Sequence, residues 1–305
     1  MAVRIAARMR SDTCRVHERA SFIWQWPPTL SSKRSRPTSP HSACASQVQA
    51  SSMLAPSRSP APELSWVMID CEHGLTSLNS TLSESVAAIH GARSRPADSP
   101  SALVRIPATG ISTSTSWQIK YALDAGARGV IVPMVSTVQQ AREIASDSRF
   151  PPRGRRGFGS SYAHGNWGVS TSEYLTGAND AVSVMVQIET RESLDQVEEI
   201  AKVDGIDGIF IGPFDLSISL GYPLPSPDPH PEVEKVIQNI RQTAQKAGKK
   251  CAIYCTAGPQ AAKRAAEGFD MINVMSDARA LSSAILEHLA VAAGTKVQTS
   301  TSSRY

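Results

Sequence analysis

The sequence lacks the features that mark membrane proteins, disulfide scaffolds and zinc fingers. Its 305 residues contain no stretch of about 18 uninterrupted apolar residues, the length that a membrane-spanning helix needs. The five cysteines are odd in number and widely spread, without CxxC pairs or a matching pair of histidines. These absences exclude a transmembrane protein and argue against a disulfide framework or a zinc finger. The 41% of hydrophobic residues is enough for a large core in one or two domains.

The net charge of +4 is concentrated at one end of the chain. Residues 1–61 hold nine Lys and Arg against Asp12 and Glu18, which leaves 22 basic and 25 acidic residues in 62–305. A mildly acidic globular part has no electrostatic reason to bind phosphate backbones. We therefore expect neither nucleic acid nor a membrane as a partner.

Residues 1–61 are rich in Ser, Arg and Pro and predict a disordered extension, and 296–305 predict a disordered tail. We expect a cytoplasmic location. The run Met1–Arg10 also resembles a mitochondrial presequence, so a mitochondrial location is the alternative. Within the extension only Ser21–Trp26 forms an apolar, aromatic burst, which is typical of a buried strand.

From Pro62 onward, short apolar runs alternate with segments of helical periodicity, the pattern of a parallel α/β sheet. We predict a (β/α)8 TIM barrel over 62–295, with Ser21–Trp26 as its first strand and an open doubly wound sheet as the alternative. The other predicted strands are Trp66–Asp70, Ala102–Ile106, Gly129–Pro133, Ser183–Ile188, Gly208–Ile211, Lys250–Tyr254 and Met271–Val274. The predicted helices are Ser116–Ala125, Thr137–Ser146, Arg191–Val203, Pro231–Ala247 and Pro259–Glu267.

Polar side chains lie at the carboxyl ends of four predicted strands, where barrel enzymes carry their chemistry. Glu189 and Asp215 follow strands that are adjacent in the chain, and two such carboxylates can share a hard divalent cation. Mg²⁺ or Mn²⁺ suits them best, with Co²⁺ or Zn²⁺ as alternatives. The competing interpretation is that each acid only stabilises the start of the next helix.

A histidine and an arginine complete this set. His73 follows Asp70 by three residues, so the carboxylate could orient the imidazole as a base, although a loop histidine is often only solvated. Arg105, at the end of a buried strand, needs an anionic partner, either a ligand or a structural salt bridge to Asp70 or Glu72. The segment 156–161 is glycine-rich but matches no phosphate-loop pattern.

Six segments occur together in one order: WVMIDCEHG, LVRIP, YALDAGARGVIVPMV, PPRGRRGFGSS, VQIET and FIGPFDLSISLG. They resemble the class II 2-oxo-acid aldolases of the 4-hydroxy-2-oxoheptanedioate aldolase type, in the phosphoenolpyruvate/pyruvate barrel superfamily that includes citrate-lyase-like enzymes. The resemblance covers about residues 62–280. It implies a (β/α)8 barrel that is often a hexamer, with the last helix exchanged between neighbours.

The resemblance also implies roles for single residues. Glu189 and Asp215 correspond to the metal ligands, Arg105 to the substrate-orienting arginine, and His73 with Asp70 to the base and its partner. Gln187 corresponds to a pocket residue, and the amides around Phe214 and Asp215 to the contact with the pyruvate carboxylate.

The expected reaction is the reversible cleavage of a 4-hydroxy-2-oxo acid to pyruvate and an aldehyde through a metal-stabilised enolate. A Schiff-base aldolase would need a lysine near a strand's carboxyl end, and Lys250 begins its strand instead. The alternatives are a citrate-lyase-like or malyl-thioester lyase, a non-catalytic barrel subunit, and a site whose acids form only a salt-bridge network.

Overall fold

The computed structural model describes residues 41–46, 64–91, 99–107 and 115–295 of the chain. The described part is built around a parallel sheet in which consecutive strands are hydrogen-bonded neighbours. β1 pairs with both β2 and β8, so the sheet closes on itself. The strands are β1 His41–Ser46, β2 Trp66–Asp70, β3 Ser101–Arg105, β4 Gly129–Val132, β5 Ser183–Ile188, β6 Gly208–Ile211, β7 Lys250–Tyr254 and β8 Met271–Ser276.

The helices follow the strands along the chain and cover the sheet. The longest helix before the end, Pro231–Lys246, buries Val233, Ile237, Ile240 and Ala244 at helical spacing and packs against β6 and β7. The helices are α1 Leu82–His90, α2 Ser116–Asp124, α3 Val138–Asp147, α4 Ala163–Trp167, α5 Thr171–Ala181, α6 Arg191–Leu194, α7 Val197–Ala201, α8 Pro213–Leu220, α9 Pro231–Lys246, α10 Gly258–Ala266 and α11 Asp277–Ala292. Within the described ranges, none of them is long and apolar enough to cross a bilayer.

Most strand residues are apolar because helices and the barrel interior cover both faces of a parallel sheet. All residues of β2 and β5 are buried. The α/β class and the parallel sheet are therefore confirmed, and β2, β5, β6 and β7 have the predicted bounds. The predicted helix Arg191–Val203 is instead two short helices, α6 and α7.

The first strand corrects the sequence analysis. β1 is His41–Ser46, which we had assigned to the disordered extension, whereas Ser21–Trp26 lies outside the described residues. The segment HSACAS has no run of β-branched or aromatic residues, so strand propensity does not mark it. Its pairing with neighbours on both sides defines it: Ala43 lies opposite Trp66 of β2 and opposite Asn273 of β8.

The described residues do not include every element of a complete (β/α)8 barrel. The connection between β1 and β2, where a first helix would lie, falls within 47–63 and outside the described residues. The predicted domain bounds, 62–295 with an extension at each end, stay predictions apart from the correction at β1.

Register brings the polar strand ends onto one face of the sheet. Asp70 lies opposite Arg105, and Arg105 lies opposite Ile131, which in turn faces Met185. Directly opposed residues share a face, and so do residues two apart on one strand. Asp70, Arg105 and Gln187 therefore point to the same side of the sheet.

Candidate active site

A buried ion pair joins the ends of β2 and β3. Arg105 donates from Nε to Asp70 Oδ1 at 3.0 Å and from Nη2 to Oδ2 at 2.5 Å. Both side chains are buried. Burial lowers the pKa of Arg105, but the charge of Asp70 and its hydrogen bond raise that pKa by more, so the net shift is upward. The guanidinium stays charged and is held in a two-pronged geometry that fixes its plane.

The loop after β2 is folded around the carboxylate of Asp70. Oδ1 accepts the backbone amides of Glu72 and His73, each at 3.1 Å. A Cβ on Gly74 would lie 2.1 Å from the carbonyl oxygen of Asp70, so only glycine permits this return of the chain. The loop presents the side chain of His73 to solvent, 59% exposed, with Nε2 at 3.4 Å from Glu72 Oε2.

Glu189 is held at the end of β5 by two donors. Its Oε1 accepts the backbone amide of Met134 at 2.9 Å, and its Oε2 accepts from Nε2 of Gln187. Thr190, not Glu189, caps helix α6, since its hydroxyl accepts the amide of Ser193. The alternative in which Glu189 only caps the next helix is therefore wrong.

Met134 and Gly212 support Glu189, and the sequence analysis missed both. Among the described non-glycine residues, only Met134 has a positive φ, 55°, a conformation that costs free energy and aims its amide at Glu189. A Cβ on Gly212 would lie 2.0 Å from Glu189 Oε2. The carboxylate of Glu189 thus occupies the space that a side chain at position 212 would need. The sequence signals for them are faint, a Pro-Met pair after β4 and a Gly-Pro pair after β6.

Asp215 follows β6, in the first turn of α8. The N-cap of that helix is Gly212, which has no side-chain hydrogen bond, and Pro213 occupies the first turn. A carboxylate here is stabilised by the helix dipole. Phe214 is half-buried, and its ring meets the ring of Tyr254 edge to face, with centroids 5.9 Å apart.

The acids of the site are close enough to perturb one another. Burial raises the pKa of Glu189 to about 7; the hydrogen bonds from Gln187 and Met134 oppose the rise, and the charge of Asp215 adds to it. Burial likewise raises the pKa of Glu72 to about 8, with Arg105 opposing the rise and Glu189, Asp70 and Asp215 adding to it. The site therefore combines four acids with one guanidinium, and two of the acids, Glu72 and Glu189, hold their protons more tightly than usual.

This set of acids suits a divalent cation bound by Glu189 and Asp215. Across the described ranges, no group of three or more His, Cys, Asp or Glu is arranged to hold a metal ion. Mg²⁺ does not need one, because it commonly binds through one or two carboxylates and completes its shell with water and substrate oxygens. The two residues would supply hard oxygen donors. Burial is the main cause of the raised pKa of Glu189 and the charge of Asp215 adds to it, and a cation held between them would oppose both.

The glycine-rich segment 156–161 lies elsewhere. Arg156 is buried, stacks on the ring of Phe150 and donates to Asp124 at 2.9 Å and to the Tyr174 hydroxyl at 3.0 Å. Ser160 donates to the carbonyl of Asp124 at 2.6 Å. These contacts are with the last turn of α2 and with α5, not with the residues at the strand ends. The segment braces the outer helices.

Comparison with known proteins gives one consistent family. The sequence model described as "HpcH/HpaI aldolase/citrate lyase" matches residues 48–284. A hydroxypyruvate/pyruvate aldolase from Rhizorhabdus wittichii is 42% identical over 168 residues, which are 55% of this chain and 66%, just under two thirds, of that protein. A 2-keto-3-deoxy-L-rhamnonate aldolase from Shigella sonnei is 35% identical over 227 residues, 74% of this chain and 79% of that one.

Solved structures agree with the sequence relatives. The crystal structure of an HpcH/HpaI aldolase/citrate lyase family protein from Burkholderia cenocepacia superposes with a TM-score of 0.71 at 29% identity. That superposition covers 84% of this chain and 95% of the other. The similarity therefore extends well beyond the short motifs.

Proposed function

The chain belongs to the HpcH/HpaI aldolase/citrate lyase family, and from this premise we propose that it is a metal-dependent, class II 2-oxo-acid aldolase. Its reaction is the reversible cleavage of a 4-hydroxy-2-oxo acid to pyruvate and an aldehyde, and its substrate type is that of the 4-hydroxy-2-oxoheptanedioate aldolases. The observation that carries the proposal is the arrangement at the strand ends, where a fixed guanidinium stands among four acids. The aldolases among the relatives support it.

Glu189 and Asp215 would hold the metal, with Mg²⁺ or Mn²⁺ preferred. A divalent cation there supplies Lewis acidity toward the keto and carboxylate oxygens of a 2-oxo acid. Gln187 keeps Glu189 in place by donating to Oε2, while the amide of Met134 holds Oε1. Such outer contacts typically matter 10- to 100-fold, roughly, for metal affinity or activity.

Arg105 orients the substrate and stabilises its developing negative charge. Asp70 already fixes the guanidinium plane, so no rearrangement is needed as charge builds up on the keto oxygen during cleavage of the C3–C4 bond. The backbone amides near Phe214 and Asp215, at the start of α8, would receive the substrate carboxylate. The site therefore binds the oxo-acid end of the substrate through Arg105 and α8.

His73 is the acid–base group. In cleavage it takes the proton of the C4 hydroxyl, directly or through one water, and in condensation it returns that proton to the new alkoxide. Its 59% exposure supports a position at the open side of the site, where the aldehyde half of the substrate would bind. Asp70 supports this residue by accepting its backbone amide.

The proposal includes the complete (β/α)8 barrel of the phosphoenolpyruvate/pyruvate type, a cytoplasmic location and a homo-oligomer, a hexamer by resemblance. Large apolar side chains on one helix, α11, support association: Leu281, Ile285, Leu286, Leu289 and Val291 are each about half or more exposed. A soluble monomer seldom leaves such a helix uncovered.

The test is pyruvate release from 4-hydroxy-2-oxo acids by the purified, folded chain, with EDTA and with added Mg²⁺ or Mn²⁺. We expect release that EDTA abolishes and either metal restores. Borohydride should not inactivate the enzyme in the presence of pyruvate, because no Schiff base forms. Activity that survives EDTA and is lost to borohydride would contradict the metal-dependent mechanism.

A thioester lyase is the second candidate, because the family description includes citrate lyase. The same preparation should therefore be offered malyl and citramalyl thioesters. Cleavage of these without cleavage of any 4-hydroxy-2-oxo acid would replace the proposed reaction. Inactivity toward both classes would favour the non-catalytic barrel.

A further inference from the structure

The backbone turn at Met134 holds Glu189 in place through a strained conformation. With a φ of 55°, Met134 adopts the left-handed conformation that residues with a Cβ rarely take. In this conformation its amide donates to Glu189 Oε1 at 2.9 Å. A strained turn of this kind persists only where the surrounding structure holds it. The contacts that hold Met134 therefore also determine where the carboxylate of Glu189 lies.

Two contacts with the end of β5 hold the turn, at residues that flank Glu189 in the chain. The amide of Val135 donates to the carbonyl oxygen of Gln187 at 3.2 Å. The hydroxyl oxygen of Ser136 lies 2.9 Å from the hydroxyl oxygen of Thr190, a hydrogen-bond distance at which either group can donate. The turn is thus fastened to β5 before Glu189 by a backbone contact and after it by a side-chain contact.

Thr190 is a fixed anchor for Ser136. Its side chain is buried, and its hydroxyl accepts the amide of Ser193 at the start of α6 at 3.1 Å. The Ser136 hydroxyl also reaches back to the carbonyl oxygen of Met134, in a longer contact of 3.4 Å. One hydroxyl therefore connects the strained residue with a part of the structure that is held independently.

Building on the metal site of the proposed function, we propose that Ser136 is a positioning residue for Glu189. Its hydroxyl fastens the turn to Thr190, the turn keeps the amide of Met134 on Oε1, and that amide sets the direction of the carboxylate. Ser136 touches neither metal nor substrate in this role. Its contribution is to keep a metal ligand ordered before the cation binds.

The start of helix α3 does not depend on this hydroxyl. Thr137 and Gln140 form a complete capping box there, in which each side chain accepts the backbone amide of the other residue. The Gln140 side chain also accepts the amide of Ser136. Removing only the Ser136 hydroxyl should therefore disturb the turn and leave the helix in place.

The first experiment measures whether the hydroxyl holds the turn. Hydrogen exchange of the full-length protein without added metal, followed by mass spectrometry of peptides that contain the amides of Met134 and Val135, reports the opening of the turn. We expect these amides to exchange at least about tenfold faster in Ser136→Ala, and at the wild-type rate in Ser136→Thr, which keeps the hydroxyl. Wild-type exchange in Ser136→Ala overturns the inference, and this reading needs neither metal nor turnover.

The second experiment measures the effect on metal binding. Calorimetric titration with Mn²⁺ should give a dissociation constant about 10- to 100-fold higher for Ser136→Ala than for the wild type. Ser148→Ala is the matched control, because the Ser148 hydroxyl is buried and donates to the carbonyl oxygen of Ile144 at 2.7 Å, at the opposite end of α3. This control should lower stability and keep the wild-type affinity for Mn²⁺. An unchanged affinity in Ser136→Ala, or an equal loss in both variants, would contradict the inference.

A glycine substitution tests the path through the turn. Glycine takes the left-handed conformation without strain, so the turn then needs less support from Ser136. The double variant Met134→Gly/Ser136→Ala should therefore bind Mn²⁺ more tightly than Ser136→Ala. A double variant that binds no more tightly than the single one would show that Ser136 does not act through Met134.

These measurements separate the inference from the proposed function. A wild type that binds Mn²⁺, with the expected effects of Ser136→Ala but no pyruvate release, would contradict the aldolase reaction alone. Pyruvate release, with unchanged exchange and unchanged Mn²⁺ affinity in Ser136→Ala, would contradict the role of Ser136 alone.

Discussion

Two buried arginines, Arg105 at the strand ends and Arg264 on α10, meet carboxylates with opposite results. Arg264 binds Glu234 through both Nη1 and Nη2, at 2.5 and 2.7 Å, and Glu267 through Nη1 at 2.8 Å. Burial raises the pKa of Glu234, but the hydrogen bonds from Arg264 and Gln238, together with the charges of Arg264 and Lys263, lower that pKa by more. Around Arg105 the corresponding glutamate, Glu72, has its pKa raised to about 8.

The difference lies in depth and in the number of acids. Glu234 and Glu267 are each about a quarter exposed, so water shares the cost of their charge. At the strand ends, one guanidinium stands among four acids, and three of them, Asp70, Glu72 and Glu189, are more deeply buried. In the α9–α10 cluster of Arg264, Glu234 and Glu267, the pKa of Glu234 is lowered, whereas at the site the pKa values of Glu72 and Glu189 stay raised. Acids with raised pKa values are typical of a place that binds a cation or a ligand.

The largest expected effect comes from comparing two glutamine variants, one at the site and one on α9. Glu189→Gln removes a metal ligand but also relieves buried repulsion, so pyruvate release should fall at least about 100- to 1,000-fold with no loss of stability. Glu234→Gln should do the reverse, keeping turnover and lowering the urea midpoint. Turnover assays and urea titrations of both variants check this, and undiminished turnover in Glu189→Gln would remove the residue from the metal site.

The next largest effect is expected from Arg105→Lys. Lysine keeps the charge but loses the planar fork that Asp70 holds, so kcat should fall by roughly 100-fold. Arg149→Lys is the matched control, because Arg149 is also buried and donates to an aspartate, Asp207 at 2.8 Å, among residues outside the site. Equal kcat values for the two lysine variants would show that the fork geometry has no catalytic role.

Arg264→Met should affect stability rather than chemistry. The substitution leaves Glu234 and Glu267 without their partner but replaces the stem of a fully buried side chain with one of similar length. Because both acids are partly exposed, we expect a loss of about 2 kcal/mol, below the range for fully buried pairs. Urea unfolding measures it, and kcat per folded molecule should not change. A loss of activity in the folded variant would contradict the separation of the two clusters.

The residues of the site and the first strand differ in how well they could be predicted from the sequence. The residues of the site follow apolar strands whose alternation with helices is visible in the sequence, so Asp70, Arg105, Glu189 and Asp215 could be placed at strand ends. The strand HSACAS is defined by pairing with Trp66 and Asn273, partners far away in the chain, and local propensity did not reveal it. The left-handed conformation of Met134 and the close approach at Gly212 depend likewise on tertiary packing.

The smallest expected effect concerns His90, whose charged neighbour is a cation, Arg128, and not a carboxylate. This buried histidine ends α1, and neither ring nitrogen has a hydrogen-bond partner among the residues the structure describes. Burial and the nearby charge of Arg128 lower the pKa of His90 to about 3, far below the value of about 6.5 in an unfolded chain. Above pH 6.5 both states are neutral there and His90 contributes no pH dependence.

As the pH falls from about 6.5 toward 3, the imidazole of His90 binds a proton in the unfolded chain but not in the folded chain, so the free energy of unfolding decreases. The slope from this residue approaches about 1.4 kcal/mol per pH unit. Urea titrations at pH 7.5, 6.5 and 5.5, at one protein concentration, should show a smaller decrease for His90→Leu than for the wild type. His288→Leu, at an exposed position on α11, serves as the control and should keep the wild-type slope. If the wild type and His90→Leu lost stability equally, folded His90 would bind a proton as readily as the unfolded chain, and burial beside Arg128 would not lower its pKa.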